Sequence, residues 1–252
     1  MSPSGFQPAV TVVIPAYNEA DSIQPCIRRI ASTVRSRHEI VVVVDHPDDS
    51  TIPAVESLLP EIEQVRVVAQ PSKGPAHAIR YGFSVAEAPV VVVTMADGSD
   101  DPACIDDMVR LVDRGCVIAA ASRYMPGGQQ IGGPRVKALL SRGAGKSLKW
   151  FAGVSTSDAT NSFKAYDRSF VEEVGIDSGS GFEIGIELVA KARRLRRPIA
   201  EVPTIWLDRD AGESRFQLKA WIPKYLQWYR LAYGRELSID EMRDITAKKG
   251  LM

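Results

Sequence analysis

Two rhythms of apolar residues alternate along this chain, and their alternation predicts its architecture. Val10–Ile14, Ile40–Val44, Val65–Val68, Val90–Val93 and Val117–Ala121 are short, mostly apolar runs. Such runs read as strands covered on both faces, as in a parallel sheet. Between them apolar residues recur at helical spacing. Ile23, Cys26, Ile27, Ile30 and Val34 do so behind a cap at Asp21 or Ser22, and Pro53–Leu59 makes a short helix. Pro75 opens a helix carrying Ala76, Ile79 and Phe83, and Pro102–Arg114 forms another that Gly115 ends. Strand and helix in turn imply right-handed crossovers, hence an α/β fold with a mostly parallel central sheet and helices on both faces.

After residue 122 the rhythm changes. Met125–Pro134 is rich in glycine and proline and reads as a loop, the best candidate for a mobile lid. Val136–Phe151, Gly181–Leu195 and Leu218–Ala232 read as helices. Ile199–Leu207 reads as a strand, and Pro203 argues for an edge position. In the last helix Leu218, Trp221, Ile222, Tyr225, Tyr229 and Ala232 share one face, while Pro223 predicts a kink or a restart near its first turn. Residues 8–233 are expected to form one domain, with a first half at 8–122, a second at 123–233, and a tail at 234–252.

Composition narrows the class little. The 252 residues are 45% hydrophobic and 25% charged, ordinary for a globular protein. Thirty-one basic and 31 acidic residues balance, so nothing global points to nucleic acid. Cys26, Cys104 and Cys116 are odd in number and lack zinc-site spacing, which predicts buried, reduced thiols. Met1–Pro8 has no apolar signal core, and no apolar run approaches the ~20 residues that span a bilayer. A cytoplasmic protein is expected, in reach of the inner membrane face.

The chemistry gathers at strand ends, which lie on one edge of a parallel sheet where ligands bind. Val90–Val93 leads into Thr94-Met95-Ala96-Asp97-Gly98-Ser99-Asp100-Asp101-Pro102. Asp97 then sits at the crevice and suits Mg²⁺ or Mn²⁺ holding a diphosphate, whereas Asp101 caps the helix that Pro102 opens. Pro15, Tyr17, Asn18 and Glu19 follow the first strand. Asp45 ends the second and suits a ribose hydroxyl or base N–H, a turn or cap role being the alternative. Lys73-Gly74 precedes a helix and suits close approach to a base or phosphate, although turn chemistry alone explains the glycine. Gly143-Ala-Gly145-Lys146-Ser147 is no phosphate loop, because Leu140 stands where the first glycine is needed and no strand precedes it.

Val12-Val-Ile-Pro-Ala-Tyr17-Asn18-Glu19, Asp45–Thr51, Lys73–Gly82, Met95–Pro102 and Ser122-Arg123-Tyr124, in this order, resemble family 2 inverting glycosyltransferases, whose nucleotide-sugar fold is called GT-A. Gly127-Gly128, Ser141-Arg142, Asp158–Tyr166, Gly181-Phe-Glu183, Glu187-Leu188, Glu201-Val-Pro203 and Asp208–Ser214 resemble its dolichol-phosphate mannose synthase branch. The resemblance implies that Pro15, Tyr17, Glu19 and Asp45 hold the nucleoside and Asp97 the metal. It implies that Arg123, Lys137 and Arg209 hold acceptor and donor phosphates. Ser214 and Arg215 match a Ser-Lys pair near that site, with Arg in place of Lys. The family pattern has Asp-x-Asp at the metal, but here the first acid is Met95, and Ser99 stands for a common glutamine as a weak oxygen donor.

The implied reaction moves a hexose, with inversion, from a GDP-mannose or UDP-glucose type of donor to polyprenyl phosphate. An acceptor phosphate is already ionised, so positioning and charge stabilisation would suffice. Transfer to a small-molecule or saccharide hydroxyl is the alternative and needs a base, for which Asp158 is the candidate, a cap or orienting role being as compatible with its position. A nucleotide-sugar-binding protein without turnover is a second alternative, suggested by Met95. Trp221, Tyr225, Trp228 and Tyr229 beside Lys219, Lys224 and Arg230 suit a membrane interface, although helical spacing more often marks a stripe that packs on the sheet. The run Lys191–Arg197 reads as a solvated helix end that anionic headgroups would also attract.

Overall fold

The computed structural model describes residues 7–179, 181–208 and 218–248, without the side chains of Lys137, residues 218–221 and Lys248. The first half follows the alternation in the sequence: β1 (Val10–Ala16), α1 (Ala20–Thr33), β2 (His38–Val44), α2 (Thr51–Glu56), β3 (Val65–Ala69), α3 (Pro75–Val85), β4 (Val90–Val93), a 3-10 turn at Pro102–Cys104, α4 (Ile105–Asp113) and β5 (Ile118–Ser122). The second half adds β6 (Gln129–Ile131), α5 (Arg135–Ser147) continued by a π-turn over Leu148–Ala152, β7 (Lys164–Asp167), α6 (Arg168–Val174), α7 (Ile184–Arg194), β8 (Ile199–Pro203), β9 (Ile205–Leu207), α8 (Leu218–Ala232) and α9 (Ile239–Lys248).

Seven strands form one sheet in the order β3-β2-β1-β4-β7-β5-β8, and only β7 runs antiparallel to its neighbours. Both faces are covered, as the uninterrupted valine runs require. Val13, Val41, Val43, Val91 and Val93 point into a core shared with α3, α6, α7 and α8. Their sequence neighbours Val12, Ile14, Val42, Val44 and Val92 point into a second core shared with α1, α2 and α4.

Four features depart from the sequence reading. β7 and α6 have no periodic signal, because β7 is only four residues long and begins with a lysine that is fully buried. The expected strand Ile199–Leu207 breaks at Thr204. Its first part, β8, is the edge strand that Pro203 predicts, and its second part pairs β9 with β6 in a separate ribbon. The glycine-rich segment expected as an open lid is therefore tied down at β6, where Gln129 N donates to Thr204 O at 2.9 Å and Asp208 N to Ile131 O at 2.9 Å. Finally, α8 continues through Pro223 without a restart.

Of the aromatic stripe of α8, the side chain of Trp221 lies outside those described and the rest turns inward. Trp228 is 1% exposed, and Tyr225 and Tyr229 are half-buried. The basic run Lys191–Arg197 divides: Arg196 and Arg197 are exposed at the helix end, as expected, and pair with Glu236 and Glu173, whereas Lys191 and Arg194 are buried. Lys191 is buried between Asp177 and Glu187 at 2.6 and 2.7 Å, and Arg194 caps the carbonyls of Leu231 and Tyr233. Residues beyond 233 carry α9, whose Met242 is buried and whose approach is fixed by Leu237 N donating to Arg194 O at 2.7 Å. Cys26 and Cys104 are buried thiols, as expected, and Cys116 is half-buried.

Gly145 shows what the phosphate-loop-like stretch does instead. It lies inside α5, and a Cβ there would stand 2.0 Å from Ser157 O, so the glycine lets the helix press against the Ser157-Asp158 backbone. Gly145→Ala is expected to destabilise the protein by roughly 1–3 kcal/mol through overpacking. A thermal melt checks this, and an unchanged Tm would contradict it.

Candidate active site

The strand order reverses between β1 and β4, the place where an open α/β sheet receives its ligand. A cleft of about 920 Å³ opens there. One end is polar and lined by Tyr17, Glu19, Asp45, Asp97 and Ser99, and Arg123 and Tyr124 form a wall. The other end runs between α5 and α8 and is largely apolar, with Leu140, Ala144, Phe182, Ile222, Tyr225 and Leu226.

The turn after β1 is held by residues of the Asp45–Thr51 segment. Asn18 adopts φ 54°, and its N–H donates to both Asp49 oxygens at 3.0–3.1 Å. Glu19 N donates to Thr51 Oγ1 at 3.0 Å, and the Glu19 carboxylate accepts from Ser22 Oγ at 2.8 Å. Tyr17 is thereby presented at the cleft, 53% exposed. Asp45 faces the cleft while accepting from Gly74 N at 2.9 Å and from Gln70 Nε2. It serves as the turn residue that the sequence allowed, and both its oxygens are engaged in holding the loop before α3. Gly74 has φ 101°, so the glycine is needed there. Lys73 is exposed and lies outside the cleft lining.

Beyond β4, Asp97 accepts from Ser99 N at 3.0 Å. Asp101 caps the 3-10 turn through Ala103 N, as expected, and its side chain also pairs with Arg29 at 3.1 Å. Asp100 is no cap. It is buried, and it accepts from Thr94 Oγ1 at 3.0 Å and Met95 N at 3.2 Å. Burial, and then the charge of Asp97, push its carboxyl up to about 7, against those two hydrogen bonds and Arg123. A carboxyl whose folded pKa is raised loses stability as pH rises from its unfolded value, about 4, to its folded one. Asp100→Asn is therefore expected to raise the Tm at pH 8 in chelator and to give no gain near pH 4. Equal shifts at both values would refute this account. Lys164, which burial pulls down to about 7 against the charge of Asp158, adds no slope in that window, because its own lies above 7.

Arg123 and Asp158 form the most constrained pair in the cleft. Asp158 is fully buried, and it accepts from Arg123 Nε at 2.7 Å, Arg123 Nη2 at 2.9 Å and Arg123 N at 3.1 Å. Burial would lower the guanidinium pKa, but the charge and hydrogen bonds of Asp158 outweigh it and the value rises. Arg123 also reaches Ser141 Oγ at 3.3 Å and lies 4.9 Å from the Tyr124 ring centre. The loop carrying Asp158 is clamped from both sides. Glu201 accepts from Ser157 N at 2.6 Å and pairs with Lys149 at 2.7 Å, while Lys164 Nζ donates to Ala159 O at 3.1 Å and to Asn161 O. This geometry fits the orienting role for Asp158, since the carboxylate is fully buried, lies outside the cleft lining and has both oxygens engaged with Arg123.

The sequence reading missed Asp49, Asp100, Lys164 and Glu201 as supports of the site, and Asp208, which lines the cleft beyond β9. Each lay in a quoted motif, but only the tertiary contacts give it a role. Arg209, Ser214 and Arg215 lie outside the described residues, as does the side chain of Lys137. Among the described residues no group of three His, Cys, Asp or Glu side chains converges to hold a metal.

A mostly parallel sheet whose switch point opens into a cleft with carboxylates at one end and an apolar channel at the other defines a glycosyltransferase of the GT-A type. Residues 11–175 match glycosyl transferase family 2, and the chain belongs to that family. It is 29% identical over 210 residues to polyprenol monophosphomannose synthase of Mycolicibacterium smegmatis, covering 81% of this chain and 79% of that one. It is 31% identical over 228 residues to dolichol-phosphate mannosyltransferase of Pyrococcus furiosus, covering 88% of this chain and 63% of that one. Among solved structures, glucosyl-3-phosphoglycerate synthase from Mycobacterium tuberculosis, in complex with Mn²⁺, UDP and glucosyl-3-phosphoglycerate, has the same fold. The TM-score is 0.68 at 20% identity, over 92% of this chain and 82% of that one.

Proposed function

We propose that this glycosyltransferase moves a hexose, with inversion, from a nucleotide diphosphate sugar of the GDP-mannose or UDP-glucose type to polyprenyl phosphate. The carrying observation is the two-ended cleft, in which a clamped Arg123 forms the wall that also borders a carboxylate end and an apolar channel. The names of the relatives support the lipid phosphate acceptor. On this reading Pro15, Tyr17, Glu19 and Asp45 hold the nucleoside, with the Lys73-Gly74 turn behind it. Arg123 holds the acceptor phosphate in line with the anomeric carbon, assisted by Lys137, Arg209, Ser214 and Arg215.

The donor set suits a divalent metal shared with the substrate. Burial, and then the charge of Asp97, raise the Asp100 carboxyl, so positive charge at this corner is favoured. Asp97 with Ser99 is an incomplete shell, which fits Mg²⁺ or Mn²⁺ that keeps waters and diphosphate oxygens as ligands. Bound there, the metal would supply charge stabilisation to the leaving diphosphate. Arg123 offers its charge and the Nη1 hydrogens to the attacking phosphate, while Asp158, on the Nε–Nη2 edge, fixes its plane. The phosphate is already ionised, so the reaction needs no base from the protein. Work at the inner face of a membrane, by a cytoplasmic protein, follows from such an acceptor.

The test is transfer followed by mass spectrometry, with GDP- and UDP-sugars, a short polyprenyl phosphate, and Mg²⁺, Mn²⁺ or chelator. A glycosyl phosphoprenol that disappears with chelator is expected. Donor binding with product only on hydroxyl acceptors would overturn the proposal.

A further inference from the structure

The turn after β4 lacks an acid where the family pattern has one, and it buries another, Asp100, that caps no helix. Methionine stands at 95, and its side chain lines the cleft without a charge to offer. Asp100 is only 6% exposed, yet it too lines the cleft. Its hydrogen bonds from Thr94 Oγ1 at 3.0 Å and Met95 N at 3.2 Å both end on Oδ2. Among the described residues Oδ1 accepts none. The arginines around the turn are committed elsewhere: Arg29 pairs with Asp101 at 3.1 Å and Arg123 with Asp158 at 2.7 Å. No basic side chain among the described residues pairs with Asp100.

A buried carboxylate is costly unless a cation or enough hydrogen bonds meet it. Here one oxygen is pinned, so the side chain is oriented in advance, and the other is left for a further partner. Gly98 has φ 69°, and Ser99 N donates to Asp97 Oδ1 at 3.0 Å, which folds the chain back between Asp97 and Asp100. Both acids thus border the same corner of the cleft. We propose that Asp100 is the second protein carboxylate on the divalent metal, so that this chain holds the ion through Asp97 and Asp100 in place of the acid missing at 95. The backbone N–H of Met95 keeps a part in the site by holding the replacement acid. A hard cation is held more tightly as charged oxygen ligands are added, so the exchange of position preserves what the missing acid would have supplied. This inference rests on the metal reading above, and the experiment separates the two.

The full chain is titrated with Mn²⁺ at neutral pH in saturating UDP or GDP, free Mn²⁺ being read by electron paramagnetic resonance. Asp100→Asn is expected to weaken Mn²⁺ at least about tenfold, and Met95→Asp added to it should restore most of the loss, because an acid at either position completes the pair. A melt in chelator controls for folding, since Asp100→Asn should there be no less stable than the wild type. Ligation itself is read with Asp100→Cys and Cd²⁺. Thiolate-to-metal charge-transfer absorption is expected in that variant and not in the wild type, whose Cys26 and Cys104 are buried beside the same turn. Unchanged Mn²⁺ affinity in Asp100→Asn, or no charge-transfer band in Asp100→Cys, overturns the inference. If Asp97→Asn loses Mn²⁺ and Asp100→Asn does not, the metal reading stands and Asp100 only braces Thr94 and Met95. If the wild type binds no Mn²⁺ with either nucleoside diphosphate, the metal reading falls and this inference with it.

Discussion

Asp158→Asn is expected to lower kcat/KM by about 10²-fold while nucleotide binding persists. The loss comes through Arg123. Its guanidinium is held by two side-chain hydrogen bonds to one buried carboxylate, and displacement of a positioning group by ~1 Å costs a factor of that order. Asparagine leaves Arg123 without a full counter-charge, so roughly 3–5 kcal/mol of stability should be lost as well. Two further measurements separate positioning from base catalysis. The shape of the pH–rate profile should be unchanged in Asp158→Asn, because a group occupied on both oxygens contributes no acid limb. Arg123→Lys, which keeps the charge but not the fork, should lose activity to a similar degree. A variant that loses only the acid limb of the profile would restore Asp158 as a base and favour a hydroxyl acceptor.

The second large effect is expected at the end of β4. Asp97→Asn should reduce turnover by about 10³-fold and weaken Mn²⁺ binding in the presence of a nucleoside diphosphate. Met95→Asp should do the reverse for binding. Met95 lines the cleft beside Asp97, and a second carboxylate there would add a ligand to a shell that now relies on substrate oxygens. Mn²⁺ affinity in Met95→Asp is expected to rise about tenfold, read by titration with and without nucleoside diphosphate. Unchanged affinity in both variants would remove the metal from this corner.

Read residue by residue, the sequence carries the first half of the fold almost intact. Val90–Val93 is the observed β4, and Val10–Ile14 and Ile40–Val44 fall inside β1 and β2. Their branched apolar side chains suit only positions covered on both faces, so each run and its flanking helices define a local answer. Asp97 and Asp101 were legible for the same reason, being placed by the end of a strand and the start of a helix. The inserted strand β7 was not legible, because four residues with a lysine at one end make a strand only when β4 and β5 already flank them.

Roles that depend on distant partners were beyond reading from the chain. Asp158 had two readings until its burial and its contacts with Arg123, 35 residues away, favoured the orienting one. The aromatic stripe of α8 and the apolar stripe of α5 are equally amphipathic in sequence. Periodicity says that a helix has an apolar face, and only packing decides whether that face meets a sheet or is left for something else. Trp228 is covered by the domain and Trp150 is not. The sequence by itself determined the first five strands, their chemistry-bearing ends and the family. The tertiary structure decided which carboxylate orients, which is pushed toward protonation, and which helix faces outward, because each depends on burial and on neighbours distant in the chain.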